Sequence, residues 1–271
     1  MDPAYALART RDEYDRLARQ ALFLRGLTER LLRAASLARG MRVLDFGSGS
    51  GDVALLAAEL VGPEGEVVGV DVDGDALHVA RGRAEALGLG NVRFVEGDER
   101  SAELGEGFDA AVGRLVLMYR ADPADTLRRI VDRVRLGGLI VFQELDLDPA
   151  VASRSLPETS LWNETGRTVI ETFRRAGTQV RMGRQLFGAF LAAGLPPPIM
   201  RDEAVTGGGP AFGGYTWLAE VARALAPLTV KLGVAEALDV DTLAERIRAD
   251  AVAREAVVWT PSFVGAFAVK P

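Results

Sequence analysis

Between residues 41 and 146 the chain alternates short β-rich runs with longer stretches of helical periodicity, and that alternation limits the fold more than any other feature. The β-rich runs fall at 41–46, 66–71, 92–96, 108–113 and 139–145. Residues 52–61, 75–87 and 123–136 between them have helical length and apolar spacing. Turn residues mark the ends: Gly62-Pro63-Glu64-Gly65, Gly88 and Gly137-Gly138. Strands joined through helices of ten or more residues imply an α/β fold with a parallel, doubly wound sheet.

The flanks are less regular. Leu17, Ala21, Leu24, Leu27, Leu31 and Leu32 give residues 12–37 a helical stripe, with Gly40 as a stop. In the second half, Leu161, Thr165, Val169, Ile170 and Phe173 share one helical face. Helices are also expected at 182–193, at 217–232 and from Asp241 onward, where Thr242 and Glu245 have capping-box spacing. A sixth strand is expected at 199–205, and a strand or hairpin bent near Pro261 at 257–269. Gly207-Gly208-Gly209-Pro210 and Gly213-Gly214 flank Phe212 as an expected mobile loop. One domain, 1–271, is expected, with a helical N-terminal cap (1–40), a core (41–146), insertions forming a lid with the sixth strand (147–256) and a C-terminal strand (257–271).

Composition removes several function classes. The chain has no Cys, which excludes disulfides, thiolate metal sites and cysteine nucleophiles, and its one His cannot form a histidine cluster. Acidic side chains number 38 against 32 basic, a net charge of −6. Without a basic run, no nucleic-acid partner is expected. No apolar run approaches the roughly 18 residues of a membrane span, and the N-terminus lacks the pattern of a secretory signal, so no membrane partner and a cytoplasmic location are expected.

The strongest local signal is Val43-Leu44-Asp45-Phe46-Gly47-Ser48-Gly49-Ser50-Gly51-Asp52, where the first strand passes into a helix. Glycines there permit close approach of a ligand, and a helix N-terminus offers N–H donors. The spacing is G-x-G-x-G, not the G-x-G-x-x-G of dinucleotide folds, which disfavours a nicotinamide dehydrogenase. No Lys-Ser/Thr pair follows, as a phosphate loop would need. Asp71 ends the second strand, where a carboxylate can accept from both ribose hydroxyls, and Asp98 follows the third, in reach of an adenine amino group. Either acid alone reads equally as a solvated strand end. Together at consecutive strand ends, beside the expected switch point, they mark a nucleoside site.

On these motifs the chain resembles a class I S-adenosylmethionine-dependent methyltransferase, most closely the bacterial branch related to the ubiquinone/menaquinone methyltransferases. The likeness covers residues 41–146: VLDFGSGSGD, VVGVDVDGDAL, VRFVEGDER, FDAAVGRLVLMY and LRRIVDRVRLGGLIVFQELDL. It implies a Rossmann-like seven-stranded sheet whose last strand is antiparallel, and S-adenosyl-L-methionine as cofactor. By resemblance, Gly47, Ser48 and Gly49 face the methionine part and Asp45 holds its amino group, directly or through water. Asp71 binds the ribose, Val72 packs on the adenine, Asp98 and Glu99 contact its edge, and Arg114 helps place the methionine carboxylate. Gln20, on an N-terminal helix that closes over the site, is a further candidate for binding the cofactor. Ser48 stands where the family often has Cys.

Methyl transfer from a sulfonium is an in-line displacement, so the protein mainly aligns the partners, and a base is needed only for a protonated nucleophile. Glu144 and Asp146, behind the fifth strand, are the candidate catalytic acids; a metal held by Glu144, Asp146 and Asp148 is conceivable but not expected. His78 lies on the wrong helix. No [Asp/Asn/Ser]-Pro-Pro-aromatic run follows the fourth strand, which counts against DNA-amino methylation. Trp162, Phe173, Phe187, Phe190, Phe212, Tyr215 and Trp217 suit a small apolar or aromatic acceptor. Alternatives are a protein or RNA methyltransferase and a non-methylating enzyme that binds the cofactor while promoting a cyclisation or rearrangement. The sequence admits a homodimer.

Overall fold

The computed structural model describes residues 11–98, 104–148, 154–236 and 239–271. Its first strand, β1 (Arg42–Phe46), buries residues on both faces, as a strand between two helical layers must. β2 (Glu66–Asp71), β3 (Val92–Glu96), β4 (Phe108–Arg114) and β5 (Val134–Asp146) follow. A second group comprises β6 (Arg154–Leu156), β7 (Ile199–Glu203), β8 (Thr206–Gly208), β9 (Val257–Trp259) and β10 (Ser262–Val269). Seven strands form one sheet in the order β3-β2-β1-β4-β5-β10-β7. β1 to β5 pair in parallel, and the last strand, β10, runs antiparallel to both neighbours. This is the doubly wound α/β sheet expected, including the reversed final strand. The order turns back between β1 and β4, opening a crevice at the strand C-termini.

The helices are α1 (Arg11–Ala34), α2 (Asp52–Val61), α3 (Gly74–Ala86), α4 (Pro123–Arg133), α5 (Ser160–Arg175), α6 (Met182–Ala192), α7 (Gly214–Lys231) and α8 (Leu243–Ala253). α2 is apolar nearly all round, and Val53, Ala54, Leu55, Leu56, Ala57, Ala58 and Val61 are buried beside the sheet. Each Leu or Val so buried stabilises the fold by roughly 1.5–3 kcal/mol. α4 starts where its sequence says: Pro123 occupies the first turn and the Asp122 side chain accepts from Asp125 N–H at 2.9 Å. α3 is capped by Asp73, which accepts from Asp75 and Ala76 N–H.

Four local expectations need correction. The segment after α4 joins β5 five residues early, through an irregular register between Phe108–Val134 and Ala110–Leu139. Thr242 makes no side-chain cap, because its hydroxyl donates to Asp239 instead. The C-terminal run is two strands in different sheets: β9 joins β6 and β8, a three-stranded sheet that the sequence did not suggest. The glycine-rich stretch around Phe212 is packed. Phe212 meets Tyr215 and Phe23 edge-on, and its ring fills the space a Cβ would need at Gly207 and Gly214.

Candidate active site

The turn after β1 is shaped by its own hydrogen bonds. Gly47 and Ser48 N–H both donate to the Val70 carbonyl on β2, at 2.8 and 2.9 Å. Gly49 N–H donates to Asp71 Oδ2 at 2.8 Å, and Asp73 N–H to Asp71 Oδ1 at 2.9 Å. The donors expected to face a ligand are therefore used within the protein, and the turn offers space instead. Gly49 has φ +50°, and nothing lies within 4 Å of where its Cβ would stand. At Gly47, φ +69°, a Cβ would come within 2.4 Å of Val116, so only glycine fits.

Beneath this turn the Asp45 carboxylate is fully buried with no hydrogen-bond partner. Burial pushes its pKa up to about 8, against the lowering influence of the Arg114 charge. Arg114 is itself fixed, donating to Thr28 on α1 and Asp52 at the start of α2 at 3.1 and 3.2 Å. Asp52 also receives Arg83 at 2.6 Å. Across from them, Leu115 takes a left-handed φ of +57°, and the chain bends into a short 3-10 turn (Leu117–Tyr119). The Glu144 carboxylate gathers the N–H groups of Val116, Leu117 and Met118 at 2.9, 2.7 and 3.4 Å. Burial raises its pKa to about 7, opposed by these three donors.

These elements enclose a cavity of about 310 Å³. One end is lined by Gly47, Ser48, Gly49, Asp71, Asp73 and Gly97, with Val72 half-exposed beside them. The other is apolar, with Leu145, Leu147, Val169, Ile170, Phe173 and Phe263. α1 crosses the space between. Tyr14 donates to the Asp73 carboxylate at 3.0–3.1 Å, Arg16 forms a buried bidentate pair with Glu13, and Gln20 accepts from Trp217 on α7. α5 and α7 close the apolar end.

The structure brings Gly47, Ser48, Gly49, Asp71, Val72, Arg114 and Gln20 to this one cavity. Asp45 stands behind its wall, and Asp98 is half-buried just past the lining residue Gly97. Glu99 lies outside the described residues. Neither expected catalytic acid reaches the cavity. Glu144 is occupied by the backbone, and Asp146 receives Arg184 at 2.6 Å and Asp148 N–H at 3.1 Å. Strand-end position suggested both; partners on other elements redirect them. Asp148 is likewise paired with Arg181 and Arg184, and His78 is exposed on α3. Of the seven aromatics singled out, Phe173 and Trp217 line the cavity, Trp162, Phe190 and Tyr215 are core, Phe212 packs against the core and Phe187 faces outward. Tyr14, Asp73 and the Glu13–Arg16 pair were missed. Their contact order is the reason for the first two: 59 residues separate Tyr14 from Asp73.

Residues 37–183 match the family model described as a methyltransferase domain. The chain belongs to the methyltransferase-domain family. It is similar to the arsenite methyltransferase of Aquipseudomonas alcaligenes, 36% identical over 49% of this chain and 41% of that protein. It is also similar to the demethylmenaquinone methyltransferase of Geobacillus kaustophilus, 40% identical over 31% of this chain and 37% of that protein. The chain thus spans well under two thirds of the relatives it matches. The YcgJ protein of Bacillus subtilis shares the fold, with a TM-score of 0.59 at 16% identity over 91% of this chain and 99% of that one. This methyltransferase domain is of class I, with S-adenosylmethionine as its cofactor.

The residues present fit that cofactor. The Asp71 carboxylate, fixed by the Gly49 and Asp73 N–H groups, lines the cavity where a ribose hydroxyl would meet an acceptor. The open face at Gly49 leaves room for an unbranched chain. Asp45 stands behind the turn with its carboxyl pushed up to about 8 by burial, so its charge is not what the cavity presents.

Proposed function

We propose that this chain transfers a methyl group from S-adenosylmethionine to a small, apolar or aromatic metabolite. The observation that carries this reading is the single cavity joining the glycine turn and Asp71 to the apolar end at Leu145, Ile170 and Phe263. When bound, the cofactor supplies a methyl already activated by its positive sulfur. The chain's own work is then positioning. Asp71 holds the ribose, Val72 packs on the adenine, and Asp98 with Glu99 meets its edge. Gly47, Ser48 and Gly49 border the methionine part; Asp45 acts on its amino group through the turn or a water, and Arg114 on its carboxylate.

The acids that line the cavity are held by other groups: Glu13 by Arg16, Asp52 by Arg83 and Arg114, Asp71 by backbone, Asp73 by Tyr14. That arrangement suits an acceptor that is nucleophilic without a strong base. The cover formed by α1, α5 and α7 favours a small acceptor over a protein or RNA, which needs an open approach. Among the described residues no helix is long and apolar enough to cross a membrane.

Calorimetry with S-adenosylhomocysteine should show one site, and label from methyl-tritiated cofactor should pass to organic-extractable material when an apolar metabolite extract is added. Absence of cofactor binding would remove the reading altogether. Tight binding with every label retained would shift it to the cyclisation or rearrangement alternative.

A further inference from the structure

The Gln20 side chain has an orientation that can be read from its partners. Arg16 Nη1 and Trp217 Nε1 both donate to the same atom, at 2.9 and 3.3 Å. An amide nitrogen cannot accept two N–H groups, so that atom is the carbonyl oxygen. The other half of the amide, an NH₂ with two donors, has no hydrogen-bond partner among the described residues. Gln20 is only 8% exposed, and it lines the cavity. Trp217 fixes where along the cavity: its ring lies 6.3 Å from that of Phe263, and Phe263 is the register partner of Leu145. Both line the apolar end.

Two of the cavity's arginines are paired. Arg16 is matched by Glu13 through two bonds of 2.7 and 2.6 Å, both side chains buried. Arg114 is matched by Asp52. Gln20 therefore presents a neutral group that can only donate, in a lining that also includes Tyr119 and Arg120. A ligand that displaces water from this donor without offering an acceptor leaves it unsatisfied, so a ligand that supplies an oxygen there is favoured over one that does not.

We infer that Gln20 is a specificity-determining residue for the acceptor, and that the acceptor is a largely apolar ring compound bearing a carbonyl oxygen that receives the Gln20 NH₂. This rests on the proposed methyl-transfer reading for the identity of the cavity. Holding Arg16 and Trp217 requires only an oxygen at this position, so Gln20→Glu would keep both and change nothing in size. What it removes is the donor facing the cavity.

The test uses matched fragments that differ by one carbonyl: 1-indanone against indane, 1-tetralone against tetralin, and acetophenone against ethylbenzene. Each is titrated by NMR into the full chain saturated with S-adenosylhomocysteine. The wild type should prefer each ketone by about threefold to tenfold, the worth of one neutral hydrogen bond. In Gln20→Glu the preference should vanish or invert, because a carboxylate faces the ketone oxygen. An unchanged preference in the variant, or no binding of any fragment, overturns the inference. A fall in the variant's affinity for S-adenosylhomocysteine also overturns it, since Gln20 would then belong to the cofactor. Failure of wild-type protein to bind S-adenosylhomocysteine would instead defeat the methyl-transfer reading.

Discussion

Glu144 is where position in the sequence and position in space part most sharply, and two substitutions separate a structural role from a catalytic one. Glu144→Ala would strand the N–H groups of Val116 and Leu117, which now donate at 2.9 and 2.7 Å. A buried donor without a partner costs about 1–3 kcal/mol, so the loss is roughly 2–6 kcal/mol before any cavity is counted. That is a large part of the 5–15 kcal/mol typical of a folded protein. Glu144→Gln keeps an acceptor oxygen and should fold.

The glutamine variant also carries a pH signature. Burial raises the wild-type carboxyl from 4.5 to about 7, so between those values the folded chain binds a proton that the unfolded chain has released. Stability attributable to Glu144 is complete below pH 4.5 and is lost as pH rises through 7. The glutamine side chain does not titrate. Its stability relative to wild type should therefore improve between pH 4.5 and 8, by about 3 kcal/mol at about 1.4 kcal/mol for each pH unit of displacement. Urea midpoints at a series of pH values, followed by far-ultraviolet circular dichroism with constant slope, would measure this. A difference that stays flat across the range refutes the reasoning. So does a glutamine variant of normal stability whose kcat falls by about a hundredfold or more, the signature of a lost proton carrier.

Three further substitutions probe the cofactor end. Asp71→Ala should weaken S-adenosylhomocysteine binding by about 1.5–3 kcal/mol, the value of hydrogen bonds to a charged acceptor, and calorimetry that finds unchanged affinity removes the ribose assignment. Gly47→Ala should destabilise the fold by about 1–3 kcal/mol, because φ is +69° and Val116 lies 2.4 Å from the new Cβ. Adding Val116→Ala should recover part of that loss, and strict additivity in denaturation midpoints would show that the two positions do not collide. Tyr14→Phe removes the hydroxyl that reaches Asp73; faster amide exchange in the first two turns of α1 is expected, and exchange identical to wild type would deny the contact any holding role.

The parallel core was legible because its signals are local. β2, β3 and α2 fall at the expected residues, since buried strands and a glycine turn each announce themselves within a few positions. The cofactor end was legible for the same reason: a doubly wound sheet brings successive strand tips together, so Asp71 and the glycine turn had to meet. What the sequence concealed was decided by distant partners. Nothing near Glu144 says that the turn after β4 will present three N–H groups to it. Nothing near Phe212 says that its ring will fill the hollows at Gly207 and Gly214, turning an apparent loop into a packed corner. β9 and β10 read as one run because Pro261 marks a bend without telling that the bend changes sheets. The acceptor end drew on Phe263, Leu145 and Ile170, apolar residues indistinguishable from core until the cavity beside them is seen.

α1 is fastened along its length: to Asp73 through Tyr14, to Trp217 through Gln20, to Gln143 and Arg114 through Thr28, and by ion pairs from Arg19, Arg25 and Arg30 to Glu220, Glu59 and Glu203. A continuous helix of 24 residues does not bend cheaply at one fastening while the others stay shut. Exchange of spent nucleoside and departure of methylated product would then share a single rocking element, and a mutation at one anchorage should alter the residence time of both.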